Sequence, residues 1–406
     1  MTKSSTHYIL PLLKIRGDNY PDIGGLFVLF YFIFWFGLNL FINNLKVNYL
    51  LKTLLFIIIS LWPYNLMILP HLWKDVGLIS FVVLAIGFIQ LHLNTGKKQP
   101  LFVALILLIL ASLFRFESII YIAIIEIYTI ILLLKGYHQK RNFTLKTIGC
   151  SLSIIVFTLL ISQSIIKLTG TKKIILWQTV ALWDLSRVSV KVNHILLPDF
   201  CIGSNMSVDD LSNATVPWTN TQLFWKTKSG MNSGLIVPYK KQEYMILFNK
   251  WISMINNYPR EYLTHRMEVA NDLLRINESS NKPIDLYFSR KIHSFNESFE
   301  LNDSNLNKKI TDVIKSSLNT ILFKGWVYFV FEFIIFIYVF LKRKAIEFEF
   351  VLVLSLSGIL SVIVLTFVSP SAEQRYLIWL FNSTLLLPPL LIEKFLAKEK
   401  TGIRTQ

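Results

Sequence analysis

Three clusters of ionisable residues stand where apolar runs end: His71-Leu72-Trp73-Lys74-Asp75, Arg115-Phe116-Glu117 and Glu373-Gln374-Arg375-Tyr376. A carboxylate at such a place can take a proton as a general base or hold a divalent cation. An arginine can grip a phosphate with two parallel hydrogen bonds. Asp75 and Glu117 are therefore the candidate catalytic residues, and Lys74, Arg115, Arg375 and Tyr376 are candidate substrate-binding residues. Charges at helix ends also stay solvated, or snorkel, for no functional reason. Three clusters together say more than any one of them.

Two other stretches are dense in functional side chains: Trp183-Asp184-Leu185-Ser186 and the run from Tyr258 to Arg266. In the second, His265 and Arg266 could reach an anionic substrate and are candidate substrate-binding residues, although a solvated amphipathic helix would carry them nearly as well. Glu126 and Glu332 fall inside apolar runs, where an acid is a functional candidate by default unless hydroxyls of a neighbouring helix hold it. The sequence has no metal-type Cys/His cluster, glycine-rich phosphate loop or periodic repeat. Its two cysteines, Cys150 and Cys201, imply no disulfide framework.

The elements that must position these residues are apolar helices. Of 406 residues, 53% are hydrophobic and only 16% are charged, against about a quarter charged in a soluble domain. The fold class is all-α polytopic membrane protein. Runs of about 17 to 21 residues can span hydrocarbon; they are expected at Gly25–Ile42, Leu54–Leu69, Val76–Leu93, Thr147–Ile166, Gly325–Leu341, Phe348–Val368 and Tyr376–Ile392. The long apolar region Leu101–Leu134 reads as two short helices meeting at Arg115-Phe116-Glu117, because isolated charges at mid-membrane cost several kcal/mol. That gives about nine transmembrane helices, with one large, mainly helical exoplasmic domain between the sixth and seventh. The expected organisation is an N-terminal segment 1–23, a membrane module 24–169, the polar domain 170–320, a second membrane module 321–392 and a basic tail 393–406.

Loop charges orient the array. Lys97-Lys98, Lys135–Lys146, Lys342-Arg343-Lys344 and the tail from Lys394 to Arg404 fall on one face if the spans alternate, so that face is expected to be cytoplasmic. The three clusters and the polar domain then face outwards. The formal charge of +16 is accounted for mainly by these loops, so nucleic acid is not expected as a partner; the partner is the lipid bilayer. The same parity puts the N-terminus outside, although Lys3, Lys14 and Arg16 lie there. Either one span is miscounted or the chain begins where a longer relative has already crossed once.

Within the polar domain, helices are expected at Tyr239–Asn256, at Arg260–Ile276 after Pro259, and at Asn305–Ile321. The last has Leu306, Ile310, Val313, Ile314 and Leu318 on one face and lysines on the other, a pattern suited to a helix lying on the bilayer. Val188–Pro238 reads as loops.

Several of these residues together resemble a known family. Lys74-Asp75 at an exoplasmic helix start, Trp251 with Pro259, Tyr262, Leu263, His265 and Arg266, and Arg375-Tyr376 opening a late span are similar to the bacterial GT-C-type membrane glycosyltransferases, in a protein-mannosyltransferase-like branch. The resemblance covers most of the chain through short motifs. It implies transfer of a sugar from a polyprenyl-phosphate-linked donor to a glycan, lipid or protein acceptor at the outer face of the cytoplasmic membrane. It also implies a loop carboxylate as base and a second acid assisting with donor or divalent cation. Members of the group usually place an acidic exoplasmic loop after a first span. Here residues 1–23 look like the end of such a loop, with Asp18 and Asp22 its remaining acids. A chain truncated there is expected to lack its base; in a complete one Asp75 takes that role. A lipid-linked oligosaccharide polymerase or ligase, working through exoplasmic arginines, and a polytopic transporter are the alternatives.

Overall fold

The computed structural model describes residues 23–71, 73–135, 176–202, 206–224, 234–277, 305–342 and 348–402, with scattered helical positions between 149 and 168. Residues 1–22, most of the expected span at Thr147–Ile166 and the basic residues Lys140, Arg141, Lys146, Arg343, Lys344 and Arg404 lie outside these. The regular structure of the described residues is all helical, with no strand and two isolated bridges, Val216 with Thr219 and Thr219 with Ser371.

In chain order the helices are α1 (Ile23–Asn43), α2 (Tyr49–Ser60), α3 (Pro63–Ile68), α4 (Lys74–Thr95), α5 (Gln99–Ser112), α6 (Ser118–Leu134), α7 (Leu176–Val192), α8 (Val208–Ala214), α9 (Thr221–Phe224), α10 (Lys241–Asn257), α11 (Pro259–Leu274), α12 (Asn305–Ser317), α13 (Gly325–Leu341), α14 (Glu349–Val368) and α15 (Ile378–Gly402). Local chemistry sets many of the ends. The Asn48 side chain accepts from Leu51 N at 2.8 Å and caps α2. Pro63, Pro100 and Pro259 sit in first turns, where the missing N–H has no helical partner to lose. Gly96 ends α4 at φ 72°, a left-handed angle that glycine adopts without strain.

Among the described residues, four helices are long and apolar enough to cross a membrane: Gly25–Asn43, Lys74–Thr95, Glu349–Val368 and Gln374–Leu396. Shorter apolar helices cover Tyr49–Ser60, Gln99–Ser112, Ser118–Leu134 and Gly325–Leu341. The single span expected at Leu54–Leu69 is two helices instead. Pro63 pushes Trp62 out of the helical region, to ψ 128°, and α2 stops before it. Region Leu101–Leu134 divides into α5 and α6 around Leu113–Glu117.

The chain forms two compact units. One comprises Met1–Lys172, Leu286–Val362 and Leu377–Gln406; the other comprises Lys173–Asp285 and Ile363–Tyr376. In the first, pairings show how the helices run. Phe30 meets Phe81 edge-on and Asn94 reaches Asn44, so α1 and α4 are parallel. They approach closely because Gly37 and Gly87 stand at the crossing, where a Cβ would lie 2.5 Å from Leu84 Cα and 2.7 Å from Gly37 O. Tyr64 stacks on Phe381 at 3.7 Å, Tyr328 lies against the same ring, and Gln90 donates to Glu393. Hence α4, α13 and α15 begin at one end of the bundle and run together. Ser357 donates to Tyr121 O and Tyr128 stacks on Phe350, which sets α14 antiparallel to α6. The corner at Leu113–Glu117 and the starts of α4, α6, α13 and α15 therefore share one end. Lys46, Lys97, Lys98, Lys135 and Lys342 gather at the other.

The second unit is built on α7, α10 and α11, with α8 and α9 beside them. α7 extends to Val192, into a stretch expected to be loop, because Val180, Leu182, Trp183, Leu185 and Val188 are all buried and the helix forms the centre of this core.

Candidate functional site

The carboxylates and the arginine of the first two clusters converge. Asp75 lies in the first turn of α4, where an acid also favours the helix dipole, and Arg115 and Glu117 lie at the α5–α6 corner. Arg115 forms ion pairs with both Asp75 and Glu117, its Nε donating to Glu117 Oε1 at 2.6 Å. Ser118 pins the corner by donating to Arg115 O at 2.6 Å. The Phe114 ring fills the space left by the missing side chain of Gly77, one half-turn beyond Asp75; any Cβ there would displace the ring. Asp75 and Arg115 are both buried, and Asp75 Oδ2 has no hydrogen-bond partner among the described residues. Burial pushes the Glu117 carboxyl up, but the Arg115 and Lys74 charges outweigh it and hold the group below the ordinary carboxylate range. His71 stacks on Trp73 at 4.3 Å just before α4. The arrangement offers one carboxylate oxygen that can accept a proton, beside a guanidinium already shared by two acids.

Of the acids inside apolar helices, Glu332 is held by hydroxyls: Ser383 and Thr384 of α15 both donate to its Oε1, the second at 3.1 Å. Its Oε2 rests against Gly358 of α14, where a Cβ would overlap it. This acid joins three helices. Glu126 is buried in α6, with Oε1 unpartnered among the described residues. Groups of three or more metal-type ligands do not occur among the described residues.

In the second unit the expected solvated helix is instead the core. His265 and Arg266 are both 0% exposed. Asp184 Oδ2 accepts from Arg266 Nη2 at 2.7 Å and from Trp251 Nε1 at 2.9 Å, and His265 Nε2 lies 3.2 Å from Asp184 Oδ1. Arg266 Nη1 also donates to Ser369 O at 3.2 Å. The guanidinium lies 5.7 Å from the Trp183 ring centroid and 6.0 Å from that of Tyr262. These residues thus bind α7, α10, α11 and the 363–376 segment to one another rather than face an anionic substrate, because a buried charge is tolerated only when paired and hydrogen-bonded. Desolvation holds His265 below its ordinary pKa, against the pull of Asp184. Leu263, from the same motif, is exposed.

The third cluster belongs to this unit. Arg375 Nε lies 2.5 Å from Glu373 Oε2, and its guanidinium lies 5.3 Å from the Tyr376 centroid. Ser371 Oγ donates to Glu373 Oε1 at 3.1 Å and lies 3.2 Å from Tyr376 Oη. The cluster is seated by Ala372 N donating to Trp218 O at 2.8 Å and Asn220 N to Pro370 O at 3.3 Å. Sequence reasoning missed a further charge group, in which Glu268 accepts from Arg187 at 2.7 Å and Lys191 at 2.8 Å. Only the Arg-x-x-x-Lys spacing on α7, one helical turn, hinted at it.

No protein-family model, curated protein or solved structure matches this chain.

Proposed function

We propose that this chain is a membrane glycosyltransferase of the GT-C type. It transfers a sugar from a polyprenyl-phosphate donor to a glycan, lipid or protein acceptor at the outer face of the cytoplasmic membrane. In this reading the expected nine spans alternate and the unit built on α7, α10 and α11 stands outside. The observation that carries the proposal is Asp75, buried at the start of α4, with one oxygen on Arg115 and the other without a hydrogen-bond partner among the described residues. Support also comes from the segregation of Lys46, Lys97, Lys98, Lys135 and Lys342 to the opposite end of the bundle, as loops on a cytoplasmic face require.

The chemistry follows from those groups. The acceptor oxygen attacks the anomeric carbon of the donor sugar, its proton passes to Asp75 Oδ2, and the sugar–phosphate C–O bond breaks to release polyprenyl phosphate. Arg115 orients Asp75, and its positive charge offsets the charge that develops on the phosphate. Glu117 keeps Arg115 at the corner. A divalent cation at this site would take ligands from Asp75 and Glu117, both paired with Arg115 here, and would supply positive charge for the donor phosphate.

The test is Asp75→Asn in membranes supplied with a polyprenyl-linked sugar. Loss of general-base help costs about 10²–10⁴ in rate, so at least about a hundredfold loss is expected, or about 2.7 kcal/mol of barrier. Equal activity of the two proteins would remove Asp75 from the chemistry.

A further inference from the structure

We propose that α12 is a lipid-docking helix: it lies in the interfacial zone of an anionic bilayer and holds the start of α13 at headgroup depth. The inference stands independently of the glycosyltransferase reading. One face of α12 is taken by protein. Thr311, Ile314, Ser317 and Leu318 are buried, and the helix packs on α3. Its exit is fixed as well. Phe323 is fully buried against Tyr64, and Tyr328 Oη both accepts from Trp62 Nε1 and donates to Leu322 O, each at 2.8 Å. The helix cannot roll without breaking these contacts.

A second apolar shoulder remains uncovered. Leu306 is 68% exposed and Val313 55%, two turns apart on one side of the helix, followed by Ile321 at 66% and Trp326 at 40%. Val330, Phe331, Phe333, Ile334 and Ile337 of α13 continue it, all exposed. Exposed apolar residues that continue from a surface helix into a helix as hydrophobic as α13 fit lipid. A protein partner would have to cover both. The polar side agrees: Lys309 and Lys315 are exposed and Lys308 half-buried, with Asp312 the acid among them. Lysines beside an apolar shoulder are the arrangement that seats a helix among anionic headgroups, and Trp326 stands where interfacial indoles collect.

The test places single nitroxide labels at Leu306→Cys, Asp312→Cys, Val313→Cys and Ser316→Cys, all exposed positions, in the full chain lacking its native cysteines. The protein is reconstituted in phosphatidylcholine vesicles with and without phosphatidylglycerol. Oxygen, which partitions into lipid, should relax the labels at 306 and 313 several-fold more than a water-soluble nickel chelate does; the order should reverse at 312 and 316. Removing phosphatidylglycerol, or replacing Lys308, Lys309 and Lys315 by Gln, should shift 306 and 313 towards the nickel chelate. Preferential nickel access at 306 and 313 in anionic vesicles would put the helix in water. Shielding from both reagents would mean that protein covers the shoulder, and no response to phosphatidylglycerol would remove the anionic specificity. Each of these results overturns the proposal.

Discussion

Asp184 and Arg266, 82 positions apart in the chain, meet at 2.7 Å with both side chains 0% exposed. Removing one partner of such a pair leaves an uncompensated buried charge, which costs about 3–5 kcal/mol. Arg266→Met and Asp184→Leu are each expected to lower the unfolding midpoint sharply and to expose the second unit to protease. The pair Asp184→Leu/Arg266→Met should recover part of the loss, because the two charges vanish together. A double variant that loses the full sum would mean that the two residues act separately.

The neighbouring histidine makes the same core pH-sensitive. His265 is held neutral by burial, below its ordinary pKa, so the unfolded chain binds a proton that the folded one refuses. Stability should therefore fall as pH drops below about 6.5, by up to about 1.4 kcal/mol per pH unit. It should stop falling once the folded pKa is passed. Thermal midpoints measured at pH 7.5 and 5.5 should differ less in His265→Gln than in the parent. Identical differences would show that another group is responsible.

Gly358 is the contact that lets Glu332 lie between three helices. Gly358→Ala is expected to destabilise the bundle, since the added methyl meets a carboxylate held by Ser383 and Thr384. Glu332→Ala makes room for it. Neighbouring sites that share a contact depart from additivity by about 0.5–3 kcal/mol, so midpoints in detergent should show the double variant more stable than the sum of the singles. Strict additivity would mean that the close approach carries no energy.

Arg375 lies at the start of the last apolar helix with its planar face near Tyr376. Lysine keeps the charge but loses the two-pronged grip and the stacking. If Arg375 binds the donor phosphate, Arg375→Lys should weaken polyprenyl-phosphate binding about tenfold or more, with insertion and amount of protein unchanged. Unaltered binding would leave Arg375 as an interface anchor tied to Glu373.

Covalent order alone determined much of this protein. Helix-length apolar runs, the proline at 259 and the charges at Arg115 and Glu117 marked where helices start and stop, because these are local preferences of backbone and burial. The same order marked residues whose chemistry stands out, Asp75 and Arg266 among them. It could not say which of them would meet. His265 and Arg266 read as groups within reach of an anionic substrate, or as a solvated helix face, because only packing decides what a helix side touches. The tertiary structure turned that side inwards onto Asp184, brought Arg115 to Asp75 from forty positions away, and set Glu332 against Gly358 and two hydroxyls. Each pairing depends on where separate helices cross, and a buried charge takes whichever partner that crossing brings within hydrogen-bonding distance.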